Sequence, residues 1–146
     1  MKVIVPILLA FIAIAVMSAR TNMPWSDEAW FASPALNLIT NGSFGTSVLD
    51  PTASFRTNNL TGIRQHTYWI VPLFPLAEAA WFRAMGFGLM QVRYLSILWG
   101  LVALWAWYRM LQILSGDQRV AGLALGLMAV DFTVAWTASV GRMETR

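Results

Sequence analysis

Four apolar segments punctuate the chain, and the spacing of charges inside them predicts which ones cross a membrane. From Val3 to Ala19 no residue is charged. At about 1.5 Å per residue, a helix there, extended slightly at both ends, reaches across a hydrocarbon core of roughly 30 Å. Lys2 holds its start on the cytoplasmic side. The rival reading is a cleaved signal peptide, with "MSA" offering small residues at the cleavage point. The segment from His66 to Gly86 has only 11 uncharged residues between His66 and Glu78, and Pro72 and Pro75 fall within them. That suits a re-entrant or interfacial helix rather than a span. Between Arg93 and Arg109 lie 15 uncharged residues, and both Arg stems are expected to snorkel towards headgroups and lengthen the span. Between Arg119 and Arg142 lie 22 residues, interrupted by Asp131, which is long enough to cross.

The fold expected from this pattern is an all-α polytopic membrane protein. Residues 1–20 are its first transmembrane helix, 21–90 a long first extracytoplasmic loop with amphipathic or re-entrant helices, 91–114 the second span, 119–141 the third, and 142–146 the start of a second outer loop. Three crossings leave Arg109 and Arg119 in the cytoplasm with Lys2, as the positive-inside tendency prefers, and put Asp27, Glu28, Arg142 and Glu144 together on the outside. A crossing by 66–86 would reverse that parity.

About 45 residues separate Arg20 from the helix near Tyr68, long for a connection without a task of its own. Within them, Ser26 reads as the cap of a helix with Asp27 and Glu28 in its first turn. Ala32, Ala35, Leu36 and Ile39 form its apolar stripe, and Asn41-Gly42 stops it. Such a helix is expected to lie flat at the membrane surface.

Composition supports insertion: 58% of the 146 residues are hydrophobic and 12% charged, too apolar a balance for an ordinary soluble domain. Many of the eight Trp and eight Phe lie near the ends of apolar runs, where amphipathic rings settle at headgroup level. The formal charge of +3 is dispersed, which argues against nucleic acid as a partner. Without cysteine, neither a disulfide framework nor a thiolate metal site can form.

Few side chains carry candidate chemistry. Asp27 and Glu28 complement a helix dipole by about 0.3–1 kcal/mol each, a structural role that stands beside a chemical one. Asp131 falls mid-span, where a charge costs about 2.5–3.5 kcal/mol and needs a partner or a water-filled cavity. Gly122 and Gly126 make a small-xxx-small pattern that reads as helix packing. His66 is the single histidine, so a multi-histidine metal site is excluded within the chain.

The order of these features is more specific than any one of them. An apolar first helix, then "DEAWFASPALNLITNGSFG", "HTYWIVPLFPLAEAAWFRAMGFG", "VRYLSILWGLVALWAWYRML" and finally "GRMETR" resembles the amino-terminal part of the GT-C membrane glycosyltransferases. The branch in question holds the protein O-mannosyltransferases and the aminoarabinose transferases of lipid A. The resemblance covers nearly the whole chain through short, degenerate motifs. It sets the family's acidic pair on Asp27 and Glu28, and its basic or His residue before the second loop helix on His66, where Thr67 replaces the usual Pro. The family's Arg-x-Asp falls on Arg142 and Glu144, with Glu for Asp, which keeps the charge and changes the reach by one methylene.

The resemblance implies an enzyme that moves a sugar from a polyprenyl-phosphate carrier to a lipid, glycan or protein acceptor at the outer face of a membrane, in a bacterium the inner one. Asp27 is the expected base, with Glu28 beside it. Arg142, then Arg64 or His66, is expected to steady the departing phosphate. Glu28 and Glu144 are the carboxylates available to a divalent metal ion, the one cofactor this chemistry admits. Family members have many more helices, so the chain reads as an amino-terminal fragment whose activity belongs to the complete protein. The alternative is a non-enzymatic polytopic scaffold or transporter subunit, with Asp131 lining a path and the outer acids acting only as caps.

Overall fold

The computed structural model describes residues 4–49, 60–68 and 70–141, and the described residues are helical apart from turns and one isolated parallel bridge between Phe44 and His66. Among the described residues the helices are, in order, α1 (Ile4–Thr21), α2 (Ser26–Asn41), α3 (Leu73–Met85), α4 (Leu89–Ser115), α5 (Gln118–Val130) and α6 (Phe132–Ser139). The chain divides into two compact units, one of Met1–Met23 with Arg93–Val140 and one of Pro24–Val92 with the segment from Gly141. They are called the span unit and the loop unit below.

In the span unit, α1 packs on α5 and α6. Its buried stripe is Phe11, Ala15 and Ala19, spaced four apart on one face. The opposing stripe on α5 is Ala121, Leu125 and Ala129. Small residues on both sides let the backbones come close. The glycine pair expected to do this contributes less: a Cβ at Gly126 would make only ordinary contact with Ile7, at 3.8 Å, and one at Gly122 would meet open space. Close approach instead needs Gly100, where a Cβ would stand 2.9 Å from Ala138 and 3.1 Å from the Phe11 ring. Ser18 and Ser139 share a hydroxyl hydrogen bond of 2.9 Å that ties α1 to α6.

Among the described residues two helices, α1 and α4, are each long and apolar enough to cross a membrane. In the expected third span, two helices are together long and apolar enough to cross but do not form one continuous helix. The segment is broken into α5 and α6, bent by 60° at Asp131. The cause is local: Asp131 takes an extended conformation and its Oδ1 accepts the Val134 N–H at 3.0 Å, so the side chain replaces the helical ladder as N-cap of α6. Part of the demand expected of a mid-span carboxylate is thereby met by its own backbone. Another difference concerns Arg93, expected to snorkel and found 1% exposed. Its guanidinium donates to the carbonyls of Ala19, Asn22 (3.1 Å) and Met23 (3.2 Å), where the end of α1 leaves acceptors without helical donors.

In the loop unit, α2 packs against α3 around Ala32, Ala35, Ala79, Phe82 and Val92, flanked by Leu38, Ile39 and Trp81. Gly42, at φ 67°, ends α2 in the left-handed conformation that favours glycine, and its N–H returns to Leu38. In the segment 66–86 the described residues form the 13-residue α3, which is not among the helices long enough to cross. Trp81 Nε1 donates to the Gln91 carbonyl at 2.8 Å and fixes the turn into α4.

Candidate functional site

The first turn of α2 sets the two acidic candidates to different tasks. Trp25, in extended conformation, is the N-cap, not Ser26. Glu28 at the third helical position reaches back and its Oε2 accepts the Trp25 N–H at 2.9 Å, half of a capping box. This shifts the helix start by one residue. Ser26 donates its hydroxyl to Asp27 Oδ1 at 3.2 Å instead of capping.

Glu28 is 2% exposed, and its other oxygen, Oε1, accepts the Gly141 N–H at 2.9 Å across 113 residues of sequence. Gly141 is suited to this approach because a Cβ there would stand 2.2 Å from Val92 Cγ1. Arg142 follows Gly141 directly in the chain. Within the loop unit, then, the acidic helix start and the residue preceding the Arg-x-Glu motif are bonded together. Arg142 and Glu144 themselves lie outside the described residues. Asp27, a helical step of about 100° from Glu28, is half-buried and holds the less enclosed carboxylate of the pair.

The basic candidates sit elsewhere on the same unit. Arg64 and His66 are exposed on a turn closed by hydrogen bonds from Gln65 N and His66 N to the Gly62 carbonyl. That turn is clamped to the C-terminal half of α2, where Asn37 Nδ2 donates to the carbonyls of Gly45 (3.1 Å) and Arg64 (3.0 Å). Gly45 passes so close beneath Arg64 that any Cβ would overlap its carbonyl. Asn37 lies ten residues beyond Asp27, about 15 Å along the helix axis. The structure thus joins Glu28 of the acidic pair to Gly141, and anchors the Arg64–His66 turn towards the other end of α2.

As a metal centre the described donors are thin. Among the described residues no group of three or more His, Asp or Glu comes together. Glu28 spends an oxygen on each of two backbone N–H groups, and a hard divalent cation usually takes six or more oxygens.

Two charged residues with decisive surroundings carried no functional assignment from the sequence: Arg93, described above, and Glu78. Glu78 is 0% exposed on the face of α3 that also buries Phe74, Pro75, Ala79 and Phe82, and neither carboxyl oxygen has a hydrogen-bond partner. Burial pushes its carboxyl up to about 8. The signal was present in the spacing, since position 78 is four residues from both Phe74 and Phe82 on the apolar stripe. No protein-family model, curated protein or solved structure matches the chain.

Proposed function

We propose that the chain is the amino-terminal part of a GT-C-type glycosyltransferase that moves a sugar from a polyprenyl-phosphate carrier to an acceptor at the extracytoplasmic face of a membrane, in a bacterium the inner one. The observation that carries this reading is the hydrogen bond from Gly141 N to Glu28 Oε1, because Gly141, the residue that precedes Arg142 in the sequence, is thereby bonded to the acidic turn of α2. In this reading Asp27 removes the proton of an acceptor hydroxyl as that oxygen attacks the anomeric carbon. The bond between that carbon and the carrier phosphate breaks, and the phosphate leaves with the electron pair. Arg142 balances the charge that builds on it, worth most where water is excluded. Glu28 is a positioning residue that holds the two chain segments together. Arg64 and His66, anchored further along α2, meet a more distant part of the donor. No step is routed through a metal ion.

Asp27→Asn in the complete protein is expected to lower transfer at least about 100-fold, the lower end of what a positioned base contributes. The assay is release of free carrier from radiolabelled polyprenyl-phosphate sugars, with the helical content of the purified variant measured alongside. Wild-type turnover in that variant would remove Asp27 from the mechanism.

One observation favours a transporter subunit as the second reading. Broken spans with a carboxylate at the break often mark ion paths, and the 60° bend at Asp131 has that form. Under the transferase reading, Asp131→Asn keeps the cap, since an amide oxygen also accepts the Val134 N–H, and leaves transfer within about twofold. A cation flux in proteoliposomes that this substitution abolishes would favour the transporter.

A further inference from the structure

We propose that the α2–α3 pair is a pH-sensitive latch, closed while the buried carboxyl of Glu78 carries its proton and loosened when that proton is lost. The inference stands on burial and hydrogen bonding. Glu78 is fully enclosed on the face of α3 that packs against α2, and neither of its oxygens has a donor. An ionised carboxylate enclosed this way has no donor to replace the hydration it loses on burial, which is costly enough that the group neutralises or the packing opens.

The charged and titratable groups on the surrounding described elements do not relieve it. They are Asp27 and Glu28 on α2, Arg64, His66 and Tyr68 on the adjoining turn, and Arg83 on α3. None hydrogen-bonds to Glu78. Of the two acids on α2, Glu28 is engaged by the N–H groups of Trp25 and Gly141. The first four residues of α4, which complete this unit, carry no charge.

The direction with pH follows from where the proton sits. In the closed pair the carboxyl titrates at about 8, and in an opened pair it returns to the ordinary value of 4.5. Closure is therefore fully favoured below about 4.5, weakens steadily as the pH rises between those values, and changes no further once both forms are ionised. Between pH 6 and pH 9 the opening equilibrium is expected to rise on the order of 100-fold. The latch carries Asp27 and Glu28 on α2, so its opening alters how the acidic turn is presented, whatever chemistry that turn performs.

The chain has no cysteine, so a single introduced thiol reports without background. Ala35→Cys places one at a position 0% exposed in the α2–α3 core, and Thr40→Cys places one at an exposed position on the same helix. In lipid nanodiscs, the maleimide labelling rate at position 35 divided by that at position 40 cancels the intrinsic dependence on thiolate. The ratio is expected to climb on the order of 100-fold from pH 6 to pH 9 with Glu78 present. It is expected to stay flat in a Glu78→Gln background. Glu78→Met, which removes the titratable group and fills the apolar site, is the second background with the same expectation. An equal rise with and without Glu78, or no rise in the parent chain, would overturn the latch. Labelling does not involve sugar transfer, so this result and the fate of the transferase reading are separable.

Discussion

Arg93→Met is expected to cost the span unit about 3 kcal/mol or more, because it removes the donors that satisfy carbonyls at the end of α1 while keeping most of the apolar stem. Hydrogen bonds to a charged group contribute roughly 1.5–3 kcal/mol each, and a buried acceptor left unpaired costs about 1–3. The guanidinium serves Ala19, Asn22 and Met23 together, a fan of donors no other side chain offers. The cation also sits at the negative end of α1, where it is favoured by the helix dipole. Against these gains stands the desolvation of a residue 1% exposed, which Met would not incur, so the net figure is well below the sum of the bonds. Arg93→Lys restores the charge with a single ammonium and is expected to recover about half the loss, since three rotatable donors cannot reproduce the planar fork. Unfolding in mixed micelles with increasing dodecyl sulfate, followed by helical circular dichroism, measures both variants. A midpoint unchanged in Arg93→Met would show that those carbonyls find other donors.

The second large effect is at Glu28, where substitution by Ala is expected to destabilise the loop unit by about 3–5 kcal/mol. Each oxygen accepts one backbone N–H at 2.9 Å, from Trp25 and from Gly141, and both bonds are charge-assisted. Gln is a sharper probe than Ala. Its amide oxygen satisfies one N–H, but its NH2 group then faces the other donor, so Glu28→Gln is expected to lose close to half of the same stability. The two contacts are separable by hydrogen exchange on the full-length variant: protection of the Trp25 and Gly141 amides should fall together with Ala, and unequally with Gln. Retained protection at Gly141 in Glu28→Ala would show that the long-range contact does not depend on this carboxylate, and would remove the observation on which the transferase reading rests.

Glu28 also illustrates how the sequence speaks and where it stops. The capping role was legible, because an acid in the first turn of a helix acts on neighbours three residues away. The bond to Gly141 was not, because no local pattern encodes which amide among those a hundred residues distant will arrive there. Arg93 is similar: a lone arginine near one end of an apolar segment is expected to snorkel, and only the presence of the α1 terminus alongside turns it inwards. At Asp131 the sequence marks a carboxylate in need of a partner but not which one, since the preference for an unbroken apolar span competes there with a short-range side-chain cap, and the cap prevails.

By itself, then, the amino-acid sequence determined the helical class, two apolar helices long enough to cross a membrane among the described residues, and the extent of α2 to within one residue at its start. Each depends on interactions within about one helical turn or on a count of uncharged residues. Tertiary structure alone decided the burial of Arg93, the joining of Glu28 to Gly141, the clamp of Asn37 on the Arg64 turn and the solitary enclosure of Glu78. These depend on which surfaces meet, and in a tightly packed interior the energy of a polar group is set by the atoms that surround it in space, wherever they fall in the chain.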